Sequence, residues 1–397
     1  MQRRYLQESA VAVFVPQENM HGALRAAREH TQIIQDPDIP APMVLNHDDV
    51  VKYVASREAR CQEGELLTLT GITNEHIHAF WREIMFSKNG AEHRRLRQLI
   101  AQHYTVPAVR PDRPLLRARA EALIHSLPKG QPFDLVSRFV EPMVGFGICN
   151  RAGYDEKDHT RVMSWGRVVT KIFVGLDAAD QDWVGDGFKA MSDHLDEVIA
   201  ERRQAPQDKV LDRLITAHND GLMSYPELRA MLGNVVTGGY ATTQFALIWL
   251  VWYLLNLPEA LARVRSNPSL MEAARKELLR MEPPVEGTFR TAEQDIEAGG
   301  CPFHRGETFM ISIMSSNRDP LLFANPDVFQ LDRDNRRLMS FGAGPHRCLG
   351  AHLANAIIEE AANVLLQNAP ALKLADRVEG WTPADGFREV DRLMVVI

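Results

Sequence analysis

Residues 225–256, YPELRAMLGNVVTGGYATTQFALIWLVWYLLN, place the strongest demand on the fold. Ser224 precedes them as a helix cap, Pro226 suits a first turn, and Glu227 completes a capping-box spacing with Ser224. A continuous helix here would be roughly 48 Å long at about 1.5 Å per residue. Its second half holds the longest apolar run of the chain, Phe245 to Leu255. That run is well short of the roughly 20 residues a bilayer span needs. The expectation is therefore a helix threaded through the core of a large protein and sheathed by other helices.

The rest of the pattern agrees. The chain has 397 residues, of which 45% are hydrophobic, enough for a substantial core. From about Ile72 to Gly233 the apolar spacing is mostly helical, and SDHLDEVIAERRQ stops before Pro206. APMVLNHDDVVKYVAS reads as a strand, a turn and a helix capped by Asn46 or Asp48. A further helix is expected over about Ser269 to Met281, ending before Pro283-Pro284. Two portions look β-rich, about 40–50 and 285–315. No repeat or linker divides the chain, so the expectation is one domain over 1–397, mainly α with a minor β component.

A formal charge of −7 disfavours a nucleic-acid binder. The N-terminal stretch lacks the continuous apolar core of a signal peptide, and no membrane anchor is expected. Four scattered cysteines, Cys61, Cys149, Cys301 and Cys348, do not form a disulfide framework. The expected setting is reducing and cytoplasmic.

One of those cysteines lies in FGAGPHRCLG, residues 341–350. Glycines at 342, 344 and 350 allow positive φ and a close approach of the backbone to a flat partner. Helical sequence beginning near Leu349 would set the Cys348 thiolate at a helix N-terminus, where the dipole favours negative charge. This suits an anionic sulfur ligand to a large planar cofactor. An inert buried cysteine, a nucleophile, or a zinc site joining His346, Cys348 and His352 to Cys301 and His304 stand as alternatives.

FGAGPHRCLG resembles the cysteine-ligand loop of the cytochrome P450 family, Phe-Gly-x-Gly-x-x-x-Cys-x-Gly. Other matching features follow in order over nearly the whole chain from about residue 45. Glu277 and Arg280 match the family's Glu-x-x-Arg, a buried structural pair there, and SNRDPLLFANPDVF, residues 316–329, is similar to the connection toward the cysteine loop. The resemblance implies a haem-enclosing, mainly α domain holding haem b, with Cys348 as the metal ligand. It implies that Arg290, His93, Arg97 and His346 bind the haem carboxylates, and that Phe341, Gly350 and Gly239 adjoin the cofactor. It further implies that Thr242, with Thr243 beside it, organises proton delivery in an O2-dependent monooxygenase.

One departure bears on mechanism. The family usually has Asp or Glu before that threonine, whereas Ala241 cannot titrate. Protons would then come through water held by Thr242 and Thr243, or from the substrate. Peroxide use is a further alternative, and nitric-oxide-reducing members resemble this chain in having Ala there. A non-catalytic haem-binding or zinc-binding protein is the reading from a different class. Asn355 departs as well, standing where the family often has Arg, and is read as surface packing or docking.

Asn234, Thr237, Gly238 and Thr242 would form a substrate-facing stripe. By family position Glu286, Thr288 and Phe387 would join them, with Glu63 to Ile77 as a lid. Those polar residues predict a small substrate bearing a polar or cationic group. The chain has no nicotinamide-binding GxGxxG in a strand–helix context, so electrons would come from a ferredoxin and its reductase. Arg94, Arg95, Arg336, Arg337 and Arg347 would present a basic docking face.

Overall fold

A computed structural model describes residues 20–35, 41–174, 176, 178–375 and 392–397. Helix α1 (Met20–Arg28) leads to strands β1 (Ile33–Ile34) and β2 (Met43–Val44). Asn46 caps α2 (His47–Ala55), its side chain accepting from the Asp49 amide at 2.9 Å. After β3 (Ala59–Arg60) come α3 (Glu65–Leu69), α4 (Glu75–Glu83), α5 (Gly90–Ile100) and α6 (Asp112–His125). Strand β4 (Phe133–Asp134) precedes α7 (Glu141–Ala152), α8 (His159–Val174), α9 (Ala178–Gln204) and α10 (Val210–Asn219). Helix α9 ends two residues before Pro206, as the steric restriction ahead of proline demands.

The long helix is α11 (Tyr225–Asn256). Its capping box is complete: the Ser224 hydroxyl accepts from the Glu227 amide at 3.3 Å, and Glu227 accepts from the Ser224 amide at 2.7 Å. Helix α11 packs against α4, α7, α8, α9 and α10. By length and composition it could cross a membrane, but 67% of its most apolar window is buried inside the protein. The apolar residues are satisfied by the core and need no lipid.

Helix α12 (Met271–Met281) follows, two residues shorter at its start than the sequence suggests. Next come β5 (Gly287–Ala292), β6 (Ile296–Ala298), β7 (Cys301–Phe303) and β8 (Thr308–Ser312). Helix α13 (Ala351–Asn368) and strands β9 (Lys373–Leu374) and β10 (Met394–Val396) complete the chain. β2 from the first expected β-rich portion and β5 and β8 from the second join a sheet of order β1-β2-β8-β5-β3, while β6 and β7 pair only with each other. Met43 pairs in parallel with Met310, and Arg290 pairs antiparallel with Phe309. Strands β4, β10 and β9 form a second sheet that the sequence did not reveal. Strands of two or three residues are too short to show a period of two.

Buried charge fixes the other end of the molecule. Glu277 and Arg280 are both 0% exposed and meet at 2.8 Å. Glu277 also accepts from Arg333 Nε at 2.9 Å, the Gln330 amide at 3.0 Å and Asn335 Nδ2 at 3.1 Å. Arg280 donates to the Asn317 carbonyl at 3.1 Å, and its guanidinium lies 5.4 Å from the Phe323 ring centroid. Such a pair survives burial only because nearly every lone pair and proton has a partner. Removing one side should therefore be severe. Glu277→Ala is expected to cost about 3–5 kcal/mol in urea unfolding, the usual loss when a buried ion is orphaned. A cost under about 1 kcal/mol would contradict this account.

Candidate active site

The cysteine loop is shaped by its glycines. Gly342 and Gly344 have φ of +62° and +65°, which residues with a Cβ rarely adopt. A Cβ at Gly344 would also lie 2.8 Å from the Ala55 Cα, so the loop docks on the end of α2. The loop closes on itself: the Gly342 amide donates to the Met339 carbonyl at 2.7 Å, and the Cys348 amide donates to the Phe341 carbonyl at 2.8 Å. Asn317 anchors it from outside, accepting from the Met339 amide at 3.0 Å and donating to Ser340 Oγ at 2.8 Å.

Cys348 is accessible as a residue, yet protein atoms crowd around its thiol. That burial pushes the thiol pKa up. The amides of Gly350 and Ala351 and the charges of Arg97 and Arg347 pull it down. Helix α13 starts at Ala351, two residues later than expected, and Gly350 is its N-cap. Ion pairs hold α13 in place, Glu360 to Arg113 of α6 at 2.9 Å and Glu359 to Arg275 of α12 at 2.8 Å.

Beside the thiol, three separate segments bring four basic groups together. His93 of α5 stacks on His346 of the loop, with ring centroids 4.1 Å apart. Arg97, one turn along α5, donates to the Arg347 carbonyl at 2.6 Å. Arg290 of β5 is 3% exposed and donates to the carbonyls of Tyr53, Val54 and Phe289 and to the Thr288 hydroxyl. Among the described residues none of Arg97, Arg290, His93 and His346 has a carboxylate partner. Burial, then Arg97 and Arg94, holds the His93 pKa down to about 4. Burial, then His93, Arg290 and Arg97, holds His346 down to about 3. Burial also lowers both arginines. A largely shielded set of donors without an acid is suited to receive an acidic ligand.

Helix α11 offers one open stripe. Asn234, Ala241 and Thr242 are partly exposed and Gly238 is exposed, at spacings i, i+4, i+7 and i+8. The Thr242 hydroxyl donates to the Gly238 carbonyl at 3.1 Å. The two glycines serve different ends. A Cβ at Gly238 would meet only Asn234 Nδ2 at 3.6 Å, whereas one at Gly239 would press on Ile148 Cδ1 of α7 at 3.0 Å. Gly239, expected against the cofactor, is thus a helix-packing glycine.

Other expected residues are also placed differently. Thr237 and Thr243 are buried off the open stripe, 7% and 3% exposed, because their helical positions turn them into the packed flank. Thr288 is half-buried and is occupied by Arg290 at 3.0 Å. Glu286 is half-buried, its carbonyl accepting from the Met314 amide at 2.9 Å. Phe341 is half-buried against the main core. Phe387 lies outside the described residues. Asn355 is half-buried with its Oδ1 enclosed, so it is not a simple surface residue. Arg95 is drawn away from a docking face by Glu227 and the Leu222 carbonyl, while Arg94, Arg337 and Arg347 remain exposed. Arg336 is exposed and paired with Asp334. In the expected lid, Gln181 of α9 accepts from the Thr73 amide at 2.8 Å and donates to the Gly71 carbonyl at 3.1 Å.

The zinc alternative has no site. Cys301 is buried in β7, His304 faces Asp295 at 3.3 Å, and no cluster of three metal-binding side chains occurs among the described residues. Sequence reading missed Asn317 and Arg333, the clamps between α12 and the loop. Both sit in irregular chain, where no periodicity marks a buried side chain.

Comparison with known proteins decides the family. A family profile for cytochrome P450 matches residues 181–369. The biotin biosynthesis cytochrome P450 of Bacillus subtilis is 31% identical over 315 residues, covering 79% of this chain and 80% of the relative. The chain belongs to the cytochrome P450 family. Nocardicin C N-oxygenase of Nocardia uniformis is 32% identical over 337 residues, covering 84% of this chain and 83% of the relative. Among solved structures, P450BioI bound to an acyl carrier protein carrying hexadec-9Z-enoic acid superposes with a TM-score of 0.89 at 25% identity. That match covers 96% of this chain and 99% of the other. Epothilone B-bound P450epoK gives a TM-score of 0.89 at 26% identity, covering 97% of this chain and 99% of the other.

This P450 is therefore a monooxygenase of the haem b class. Its donor set fits that cofactor: a thiol for the iron, and four donors lacking an acid for two propionates. Arg290→Ala is expected to speed haem transfer to excess apomyoglobin about tenfold or more, from about 1.5–3 kcal/mol for a hydrogen bond to a charged group. An unchanged transfer rate would remove Arg290 from the set.

Proposed function

We propose that this P450 uses O2 and ferredoxin-delivered electrons to oxidise a small, natural-product-like molecule carrying a polar or cationic group. The observation that carries the reading is Thr242, retained on the open stripe with its hydroxyl anchored to the Gly238 carbonyl at 3.1 Å. Cys348 would supply the thiolate that binds the iron, and Arg290, Arg97, His93 and His346 would hold the propionates. Bound haem supplies the iron at which oxygen is activated. The chain's own part is to orient and to protonate. The open face of Gly238 leaves room beside Asn234 for a ligand. Thr242 presents a hydroxyl that can pass a proton into the pocket, and Glu286 offers a carboxylate to a cationic substrate.

Relatives named for oxygenating nocardicin C and 6-deoxyerythronolide B, at 32% and 31% identity, support a natural-product-like substrate. Exposed Arg94, Arg337 and Arg347 support an acidic ferredoxin as donor, with salt-sensitive turnover. Four free cysteines support a cytoplasmic setting. Ala241, lying on the open stripe, favours a second reading in which peroxide or nitric oxide replaces O2.

Three assays separate these readings: ferredoxin, reductase and NADPH; peroxide alone; nitric oxide with NADH. Product only in the first is expected, and product only in the second or third would overturn the proposal. The reduced, carbon-monoxide-treated protein should show the Soret shift of thiolate ligation, and Cys348→Ala should lose it. Glu286→Ala is expected to weaken binding of amine ligands about tenfold or more in spin-state titrations, again from about 1.5–3 kcal/mol per charged hydrogen bond. Unchanged affinity would remove the argument for a cationic group.

A further inference from the structure

The face of α11 that carries Gly238 and Thr242 does not end at the open stripe. Phe245, Trp249 and Tyr253 continue it, at i+3, i+7 and i+11 from Thr242, and Trp252 stands beside them at i+10. Trp249 comes roughly 10 Å along the axis from Thr242, at about 1.5 Å per residue. The rings touch in series. Phe245 and Trp249 have centroids 5.7 Å apart, Trp249 and Trp252 5.5 Å, Trp252 and Tyr253 5.2 Å, and Trp249 and Tyr253 5.9 Å. Phe245 and Trp249 are buried, whereas Trp252 and Tyr253 are half-buried. The row thus passes from the packed core to the edge of the protein.

The outer end of the row carries a proton acceptor. Tyr253 Oη donates to Glu282 Oε1 at 2.7 Å, and Glu282 is buried. Arg318 Nη2 donates to the same oxygen at 3.1 Å, and His21 Nε2 meets the other, Oε2, at 2.9 Å. The His21 side chain is 21% exposed, which opens the line to solvent. Burial, then the charge of Glu282, raises the Tyr253 pKa, so the phenol is neutral and keeps its proton at rest. Burying rings accounts for apolar area, and a tyrosine hydroxyl commonly finds a partner. Packing alone does not ask that two indoles and a phenol touch in order and end on a carboxylate with a route to water.

We infer that Trp249, Trp252 and Tyr253 carry stray oxidising equivalents out of the active site when no substrate is there to take them. Indole and phenol rings give up an electron far more readily than phenylalanine or an aliphatic chain. A phenol does so most readily when its proton has an acceptor within a hydrogen bond. Electrons and protons balance. A peracid leaves two oxidising equivalents at the haem site and departs as the carboxylic acid. An electron from Trp249 fills one of them, and Trp252 and Tyr253 refill the indole. Tyr253 passes its electron inward and its phenolic proton to Glu282 Oε1, while a proton leaves by His21 to solvent. A neutral tyrosyl radical remains. A soluble thiol then returns one electron and one proton to Tyr253. A second passage fills the other equivalent. The oxygen the peracid gave up leaves as water, with two protons from solvent, and two thiols end as one disulfide. The inference rests on the haem–thiolate reading above, with Thr242 at the oxygen-activating end.

The test mixes ferric holoenzyme, free of substrate, with peracetic acid, freezes it within milliseconds and reads it by electron paramagnetic resonance. The unaltered protein should give a tyrosyl radical, whose hyperfine pattern collapses when its tyrosines are ring-deuterated. Tyr253→Phe should lose that signal and leave a tryptophan radical in its place. Glu282→Gln, which keeps the shape but not the basicity, should do the same. Trp249→Phe should lose most of both signals, and its haem absorbance should bleach faster. Trp249→Tyr, which keeps an oxidisable ring, should restore the yield. Tyr240→Phe, off the row, should leave the tyrosyl radical as it was. Variants are compared at equal haem content, so a lost fold is not mistaken for a lost path. A tyrosyl signal that survives Tyr253→Phe would overturn the inference, as would a radical yield and bleaching rate indifferent to Trp249→Phe. A carbon-monoxide Soret shift without any radical in the unaltered protein overturns the inference alone. Absence of that shift overturns the haem–thiolate reading and the inference together.

Discussion

The Glu277–Arg280 pair is the interaction on which the catalytic end of this P450 depends. It is buried completely, and its surplus hydrogen-bonding capacity is satisfied by chain far away in sequence: Arg333, Gln330, Asn335 and the Asn317 carbonyl. Asn317 in turn grips Met339 and Ser340 at the start of the cysteine loop. A requirement for charge neutrality inside a dry core thus becomes a positional constraint on Cys348. Breaking a buried pair is expensive enough to make that constraint stiff.

Stiffness matters because the thiol and its neighbours stand against their own electrostatics. Arg97, Arg290, His93 and His346 converge from α5, β5 and the loop, and burial, with the neighbouring arginine charges, disfavours protonation of the two imidazoles. Without a rigid frame such groups would turn outward to solvent. The strand pairing of Arg290 with Phe309 and its bonds to the end of α2 prevent that. The cluster is held ready for anionic groups, and ligand binding relieves a repulsion that folding created.

Much of the architecture was legible in the sequence, for identifiable reasons. Ser224, Pro226 and Glu227 are local signals, so the start of α11 was placed correctly, and its apolar run fixed its role as a core helix. Asn46 was read correctly as a cap for the same reason. The glycine pair 238–239 was harder. Its cost to the helix was visible, but which glycine packs on Ile148 and which opens a face depends on rotation of α11 against α7. Likewise Thr237, Thr242 and Thr243 look alike in a string of letters. Only helix rotation separates the partly exposed Thr242 from its two buried neighbours.

The sequence by itself determined a mainly helical chain, and its FGAGPHRCLG loop carried the resemblance that implies a haem enzyme, because caps, apolar periods and that loop are encoded over a few adjacent residues. It also showed that position 241 cannot titrate. Only the tertiary structure decided what surrounds that alanine, which arginines face outward, and how Asn317 reaches the cysteine loop. Those facts depend on contacts between residues tens to hundreds of positions apart. A linear pattern carries periods and caps, whereas the partner of a buried polar atom is set by how the helices pack.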